Sequence, residues 1–512
     1  MEFQFPSGSL PTLFTIFLFI FMILKICKRH RTKNSNLKLP PGPRKLPIIG
    51  NMHQLVGSLP HHTLRDLAKI YGPLMHLQLG EVSAVVVSAP ETAKEIMRTH
   101  DSIFSYRPLL LAPDIISYGG SGIAFAPYGD YWRQMRKICG SVLLNSKRVD
   151  SFQSIRDEEV SDLLKFISSN IGLPINLGEK IFSMTYGITA RVAFGNKCKD
   201  QVQEELITAV REGAEATGGF EVADVFPSTK ILQVISGKRP KLEKIHRKID
   251  MILDNIVKEH KASKEEAENT GKDKANDLLG VLLNLQEHGE LEVPLTMNNI
   301  KAVLLDIFTA GSETSSSTVE WAMSEMLNTP RVMKKAQAEV RQVFRTKGNV
   351  EETGLQELKF LKAVIKETLR VHPPIPLLLP KECSESCEID GYGIPVKTKV
   401  IVNAWAIGRD SKYWTEAETF CPERFLDSSV DFRGTNFEFI PFGAGRRICP
   451  GITFAIPNIE LPLAQLLYHF DWKLPNGMKQ EGLDMTETFG VTVRKKEELH
   501  LIPTPYHLEP NA

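Results

Sequence analysis

The chain has 512 residues, a formal net charge of +1, and 42% hydrophobic and 24% charged residues. This is the composition of a folded globular protein, and it excludes the disordered and fibrous classes. No basic excess exists to neutralise phosphates, which excludes nucleic acid as the main partner. The 7 cysteines are scattered, odd in number and without paired zinc spacing. We therefore expect no disulfide framework and a reducing compartment.

The N-terminal segment predicts a membrane anchor. Residues 3–24 carry no charge, and residues 13–24 are densely apolar. A bilayer takes ~20 such residues to span, and the basic residues that follow up to Lys33 should stay on the cytosolic side. The basic start and small-residue cleavage site of a signal peptide are both missing, and a buried core helix would not explain the basic stop. Residues 1–33 are thus predicted to be a single-pass anchor in front of a cytosolic body.

Four prolines in residues 34–50 fix φ and remove backbone donors, so this segment is predicted to be a stiff, extended hinge. Alternating β-branched residues predict a hairpin over residues 74–90 that turns at Gly80. Residues 387–402 form a second β-rich stretch.

Most of the remaining chain has helical periodicity. Apolar residues at a spacing of three to four predict helices over residues 157–168, 242–261 and 296–327. Residues 261–277 have almost no apolar content and are predicted to be a solvated loop. The expected fold class is mainly α with a minor β-rich subdomain.

Residues 442–451, FGAGRRICPG, place Cys449 among glycines and arginines. A dinucleotide-binding loop would need glycine where Ile448 stands, and zinc would need further ligands nearby. A buried structural cysteine would leave the flanking residues unexplained. A thiolate bound axially to haem iron explains them all, with the N–H groups of a helix start stabilising the anion. Gly445 and Gly451 would let the backbone turn and approach the flat cofactor, and Arg447 would pair with a propionate.

These residues resemble the haem-binding signature of the cytochrome P450 superfamily. Three further motifs follow the family's order: a W-x-x-x-R pair, an E-x-x-R helix and a P-E-R-F segment. The matching residues of the haem-binding signature are Phe442, Gly445, Arg447, Cys449 and Gly451. Those of the other three motifs are Trp132 and Arg136, Glu367 and Arg370, and Arg424. The resemblance implies a P450 fold with one haem-thiolate catalytic domain, residues 51–512, and haem b bound through Cys449.

The same resemblance implies roles for the other motif residues. Trp132 and Arg136 would contact the haem propionates, and Glu367 would hold Arg370 and Arg424 in a structural cluster. Relatives usually carry arginine where this chain has Lys381, so a propionate contact there is expected to be less directional. Pro457, in the helical stretch after the cysteine, is expected to kink that helix.

Residues 310–317, AGSETSSS, lie midway along a predicted helix. They are compatible with a continuous helix of back-bonding serines and threonines, and also with a local opening beside a ligand. The resemblance to the family's A-G-x-E-T motif implies that Glu313 and Thr314 relay protons, with dioxygen as co-substrate. It further implies electrons from NADPH through a membrane-bound reductase, because the stretch after Cys449 is too short for a flavin domain.

An endoplasmic reticulum location follows from the same resemblance. Arg133, Lys137 and Arg446 are the predicted docking surface for the reductase, with ordinary solvated charges as the alternative. Cytochrome b5 is a further candidate partner.

The substrate is expected to be lipophilic because the segments that would line the pocket by family analogy are apolar. The candidate pocket residues are Ile123, Ala310, Ile375, Leu377, Leu378 and Phe489. The chain looks like plant microsomal enzymes of specialised metabolism, which favours a terpenoid, either a sesquiterpene or a diterpene. An alkaloid or phenolic substrate stays open. So do a haem-thiolate isomerase or dehydratase that needs no dioxygen, and a non-catalytic membrane haem protein.

Overall fold

A computed structural model describes residues 38–195, 198, 200–215, 221–229, 236–270, 277–488 and 490–506. The predicted anchor over residues 1–33 and the candidate pocket residue Phe489 lie outside this set. None of the helices within the described ranges is long and apolar enough to cross a membrane.

Helices make up most of the structure, as predicted. Their bounds are Pro60–Tyr71, Pro90–Lys94, Leu111–Ile116, Asp130–Ile138, Ser146–Asp150, Gln153–Ser169, Leu177–Phe194, Asp200–Glu215, Val222–Val225, Lys238–Thr270, Leu278–His288, Met297–Asn328, Pro330–Val343, Lys359–Val371, Ala404–Ile407 and Ile452–His469.

Met297–Asn328, called the central helix below, organises the core. Thr296 caps its N-terminus, because the Thr296 side chain accepts from the backbone N–H of Asn299 while the Asn299 side chain accepts from that of Thr296. The central helix packs against Leu177–Phe194 and against Ile452–His469. Apolar residues along most of its length are buried, so this helix forms the middle of the principal core.

Among the described residues, the minor β structure comprises nine short strands. They are β1 Leu74–Leu79, β2 Val82–Val87, β3 Ile175–Asn176, β4 Lys381–Glu382, β5 Cys387–Ile389, β6 Tyr392–Ile394, β7 Lys399–Val402, β8 Phe470–Lys473 and β9 His500–Pro505. The largest sheet has the order β1-β2-β7-β4, with β2 and β7 parallel and the other pairs antiparallel. The predicted hairpin at Gly80 and the second β-rich stretch are both confirmed.

In the described part of the hinge, residues 38–45 have no regular secondary structure. The backbone turns at residues 47–49, and Leu46 and Gly50 form an isolated bridge. The segment is also attached to the sheet, since the N–H of His76 donates to the Pro41 carbonyl over 2.8 Å. The described part of this segment is therefore held against β1.

The predicted solvated loop over residues 261–277 was wrong in its first part, because Lys238–Thr270 is one continuous helix. Lysine, glutamate and alanine dominate this stretch, and all three are strong helix formers. Because this stretch has few apolar residues, this part of the helix stays exposed to solvent, but it remains helical. Ile452–His469 likewise continues as helix through Pro457 and Pro462.

Candidate active site around Cys449

The loop over residues 442–451 wraps its backbone around the cysteine. The N–H of Cys449 donates to the Phe442 carbonyl over 3.0 Å, and the N–H of Gly451 donates to the Cys449 Sγ over 3.3 Å. Gly443 and Gly445 have φ of +69° and +71°, the left-handed region that favours glycine. The loop therefore turns twice before Cys449, and the helix Ile452–His469 begins three residues after it.

The two glycines that the sequence grouped together have different roles. A Cβ on Gly445 would lie 2.1 Å from the Met97 carbonyl oxygen, so this glycine seats the loop against another protein segment. Gly451 has an ordinary φ of −92°, and a Cβ there would lie 3.7 Å from the Cys449 sulfur, a normal contact. We expected both glycines to make room for the cofactor. At Gly445, however, a side chain would point at Met97 and Asp101, so this glycine makes room for another part of the protein.

Opposing effects act on the pKa of the Cys449 thiol. Burial raises the pKa of this thiol, and the Gly451 N–H and the charge of Arg136 offset that effect only in part. A bound metal deprotonates a coordinating thiol outright, so ionisation here would come with iron ligation.

Four cations converge on this region, namely Arg107, Arg136, Lys381 and Arg447. Among the residues that the structure describes, none of the four forms an ion pair with a carboxylate. Burial and the neighbouring Arg107 lower the pKa of Lys381 to about 7. Burial, Arg107 and Arg136 lower the pKa of Arg447 to about 9. An enclosed excess of positive charge is costly unless an anion is bound there.

Backbone carbonyls orient two members of this cluster. Arg447 donates to the carbonyls of Ser105 at 2.8 Å and Ala126 at 2.7 Å. Arg107 donates to those of Ala124 at 2.9 Å and Leu379 at 2.8 Å. Sequence reasoning missed Arg107, because no local motif marks it and its partners lie far along the chain.

Trp132 does not offer a free donor to a propionate. Its indole N–H donates to the Ile123 carbonyl over 3.0 Å, and its ring lies 4.1 Å from the Arg447 guanidinium carbon. Trp132 therefore supports the plane of Arg447. Arg136, one helical turn later, is only partly buried, and its guanidinium makes no hydrogen bond within the described ranges. Its five N–H donors are thus available to an anion.

Glu367, Arg370 and Arg424 form the cluster that the sequence predicted. Arg370 meets Glu367 in a fork, with 2.7 Å from Nε to Oε2 and 2.8 Å from Nη2 to Oε1, and Arg424 Nε lies 3.1 Å from Oε1. Arg370 also donates to the carbonyls of Gly408 and Ala417. Because Glu367 and Arg370 are fully buried, removing one of them would leave the charge of the other buried and unpaired.

The central helix has an accessible patch in its middle. Ala310 is exposed although Phe308 and Ser312 on either side are buried, so the central helix is accessible at Ala310. The Thr314 hydroxyl lies one turn on and donates to the Ala310 carbonyl over 2.6 Å. The helix is continuous there, so the back-bonding interpretation is confirmed and the local opening of the helix is not observed.

Glu313 faces another direction from Thr314. Its carboxyl is buried, with Tyr186 Oη 3.5 Å from Oε1. Burial raises the pKa of Glu313, partly offset by the charge of Arg494. Adjacent helical residues point about 100° apart, so the two side chains are not brought together.

The candidate pocket residues lie on segments that meet beside the central helix. The Ser317 hydroxyl donates to the Val493 carbonyl over 3.1 Å, and the Val493 N–H donates to the Pro374 carbonyl over 2.8 Å. These bonds join the C-terminal loop to the segment that carries Ile375, Leu377 and Leu378, all partly accessible. Ile123 lies on a loop whose Ala124 N–H donates to Asp306 of the central helix over 2.9 Å.

A protein-family comparison matches residues 40–502 to the family described as Cytochrome P450. The chain is a cytochrome P450. It is 57% identical over 510 residues to desmethyl-deoxy-podophyllotoxin synthase of Sinopodophyllum hexandrum, covering 99% of this chain and 98% of that protein. It is 54% identical over 495 residues to premnaspirodiene oxygenase of Hyoscyamus muticus, covering 97% and 98%. Salviol synthase of Salvia pomifera is 52% identical over 506 residues, covering 98% of each chain.

The fold matches solved structures of the same family. A zebra fish cytochrome P450 with progesterone superposes with a TM-score of 0.75 at 26% identity, covering 88% of this chain and 100% of that one. The P450 is thus a monooxygenase whose cofactor is haem with a thiolate-ligated iron, using dioxygen and electrons from NADPH through a reductase. The four unpaired cations and Cys449 fit that group, since two propionates would supply the missing negative charge.

Proposed function

We propose that this P450 hydroxylates a lipophilic plant specialised metabolite, with a terpenoid, either sesquiterpene or diterpene, as the substrate class. The accessible patch at Ala310 and Thr314 supports the proposal, because the central helix is accessible there between buried residues. We assign Ile123, Ile375, Leu377, Leu378 and Phe489 to the apolar lining of the substrate pocket. Premnaspirodiene oxygenase is named for oxidising a hydrocarbon, which supports the same class here.

We assign the site residues as follows. Cys449 is the iron ligand, and Arg107, Arg136, Lys381 and Arg447 hold the propionates. When bound, haem supplies the oxygen-activating chemistry. Trp132 fixes the plane of Arg447.

Proton delivery is assigned to the central helix. The Thr314 hydroxyl donates to the Ala310 carbonyl, so at the accessible patch its oxygen accepts a hydrogen bond from a water molecule and holds that water in place. Glu313 is a buried acid one residue away, and its raised pKa suits a proton reserve. Because its side chain faces Tyr186, a proton from Glu313 reaches the patch only after side-chain rotation or through water.

The membrane arrangement is part of the same proposal. Residues 1–33 anchor the enzyme in the endoplasmic reticulum, residues 34–50 form the hinge, and residues 51–512 form the cytosolic catalytic domain. Lys137 is exposed and Arg446 is 53% exposed. Arg133 is also exposed, at 52%, but is paired with Asp130. Arg446 is paired as well, with its Nε 3.6 Å from Asp101 Oδ2. Lys137 is therefore the strongest of the three candidates for contacting the reductase, and cytochrome b5 would compete for the same face.

The test uses microsomes that contain the full-length enzyme and a plant reductase. They are supplied with sesquiterpenes, diterpenes, alkaloids and phenolics, and mass spectrometry detects products that have gained one oxygen atom. An oxygenated terpenoid that requires NADPH supports the proposal. Oxygenation of only an alkaloid or phenolic would refute the substrate class, and an isomerised or dehydrated product formed without NADPH would favour the haem-thiolate isomerase.

A further inference from the structure

Two histidines and a glutamate converge on the surface, apart from the haem site. His61 and His62 lie in the first turn of Pro60–Tyr71, and Glu487 lies in the C-terminal loop. His61 Nε2 is 2.8 Å and His62 Nε2 is 3.2 Å from the same carboxylate atom, Glu487 Oε2. The three ligand-capable atoms lie within 4.8 Å of one another. Neither the oxygenation chemistry nor the haem site uses these residues.

We propose that His61, His62 and Glu487 form a zinc-binding site. Zinc takes imidazole nitrogen and carboxylate oxygen at ~2.0–2.2 Å in a tetrahedron, which places neighbouring ligand atoms a little over ~3 Å apart. The observed separations of 2.8 and 3.2 Å are close to that spacing. Two imidazoles and one carboxylate also form a set that suits zinc better than the oxygen-seeking magnesium or calcium.

The two imidazole rings are held in place before any metal binds. The ring of His62 stacks on Trp405 at a centroid distance of 4.3 Å, and the ring of His61 meets Trp405 edge-on at 5.0 Å. The Asn403 amide donates to the His61 carbonyl over 2.8 Å. Because the two imidazole rings are already held in place, binding a metal ion would cost less conformational entropy.

The site has an open side. The side chains of His61 and Glu487 are 2% and 8% exposed, whereas that of His62 is 40% exposed. A zinc ion could enter past His62 and keep a water molecule as its fourth ligand.

The surrounding charge favours a divalent cation. A second carboxylate, Glu325, lies behind the site and is 2.7 Å from His372 Nε2. The buried Nδ1 of His372 makes no hydrogen bond and lies 3.6 Å from Glu487 Oε1. The nearby Arg409 is matched by Glu418 at 3.2 Å. Arg65 also lies 3.5 Å from Glu418. With neutral imidazoles, the three carboxylates Glu487, Glu325 and Glu418 outnumber the two arginines by one, and this leaves one net negative charge for a bound cation.

Zinc at this position would link the helix Pro60–Tyr71 to the C-terminal loop that contains Glu487. Beyond Glu487, the Thr488 N–H donates to the Arg494 carbonyl over 2.8 Å, and Val493 is bonded to Pro374 and Ser317. Occupancy would therefore stabilise the segment that reaches the proposed substrate pocket.

The experiment uses the full-length, haem-loaded enzyme without a polyhistidine tag and Zn²⁺ alone as the probe. After equilibration in a zinc buffer, the zinc-to-haem ratio is measured by elemental mass spectrometry for the wild type, His62→Gln and His288→Gln. His288 is the matched control, because it is 72% exposed and 3.8 Å from one carboxylate but belongs to no cluster.

We expect one zinc per haem in the wild type and in His288→Gln. The affinity of His62→Gln should fall by more than the ~10–100-fold that is typical of losing an outer-shell partner. Zinc should also raise the thermal unfolding midpoint of the first two proteins but not of His62→Gln. Absence of zinc from the wild type would overturn the proposal, and so would equal binding by His62→Gln. The wild-type result decides even if a variant does not fold.

Discussion

Replacing Gly445 with alanine should destabilise the enzyme and weaken its hold on haem. The new Cβ would lie 2.1 Å from the Met97 carbonyl oxygen and 2.9 Å from the Asp101 carboxyl group. Asp101 accepts the Arg446 N–H over 2.8 Å and lies close to Ser105, whose carbonyl accepts from Arg447. A shift of this turn would therefore displace the cation cluster.

The cost has two parts. An alanine at a φ of +71° costs roughly 1–2 kcal/mol, because the left-handed region crowds the Cβ. The Met97 carbonyl must also retreat by about 1 Å, and such overpacking costs roughly 1–3 kcal/mol. The sum is about 2–5 kcal/mol. Gly172→Ala is the matched control, because Gly172 has a φ of +77° with nothing within 4 Å of its Cβ, so only the first part applies.

Urea unfolding of the full-length enzyme, followed by circular dichroism, measures the difference, and haem absorbance after gel filtration measures retention. Gly445→Ala should unfold at clearly lower urea than Gly172→Ala and should lose haem on the column. Equal midpoints for the two variants would refute the steric argument.

Three further predictions concern single side chains. Thr314→Ala should lower the amount of product formed per NADPH oxidised by roughly 10-fold or more. Thr318→Ala is the control, because it removes a similar but buried hydroxyl that donates to a helix carbonyl, and it should leave this ratio unchanged. Equal effects of the two substitutions would contradict the role of Thr314. Lys381→Gln should release haem on dilution and Lys381→Arg should retain it, because only the charge is needed; unchanged retention in Lys381→Gln would be contrary evidence. Burial raises the pKa of Asp306 from 3.8 to about 6, so its contribution to stability is present below 3.8 and is lost as pH rises to about 6. Over that window the wild type should lose stability relative to Asp306→Asn, and parallel unfolding midpoints would contradict the assignment.

Local patterns in the sequence predicted what lies close together along the chain. The loop that contains Cys449 spans only ten residues, and its glycines and arginines indicated a bound thiolate. The hairpin turning at Gly80 was predictable from a local pattern in the same way. Glu367 and Arg370 lie one helical turn apart, but their role in a cluster was implied by the resemblance to the family. Arg424 needed knowledge of the family, because it joins Glu367 from a separate segment.

Contacts between distant segments could not be read from the sequence. Arg107 belongs to the cation cluster through carbonyls of residues 124 and 379, and nothing beside it in the sequence signals this. The roles of Gly445 and Gly451 likewise depend on what their missing side chains would meet. By contrast, the separation of Glu313 from Thr314 follows from helical geometry and was predictable.

Oxidation under isotopically labelled dioxygen tests the central claim most directly. Microsomes with the full-length enzyme and reductase are incubated with NADPH and the terpenoid that gave a product in the substrate panel. The account predicts a product carrying one labelled oxygen atom, formed only with NADPH and abolished in Cys449→Ser. Unlabelled oxygen in the product, or unchanged activity of Cys449→Ser, would contradict a thiolate-dependent monooxygenase.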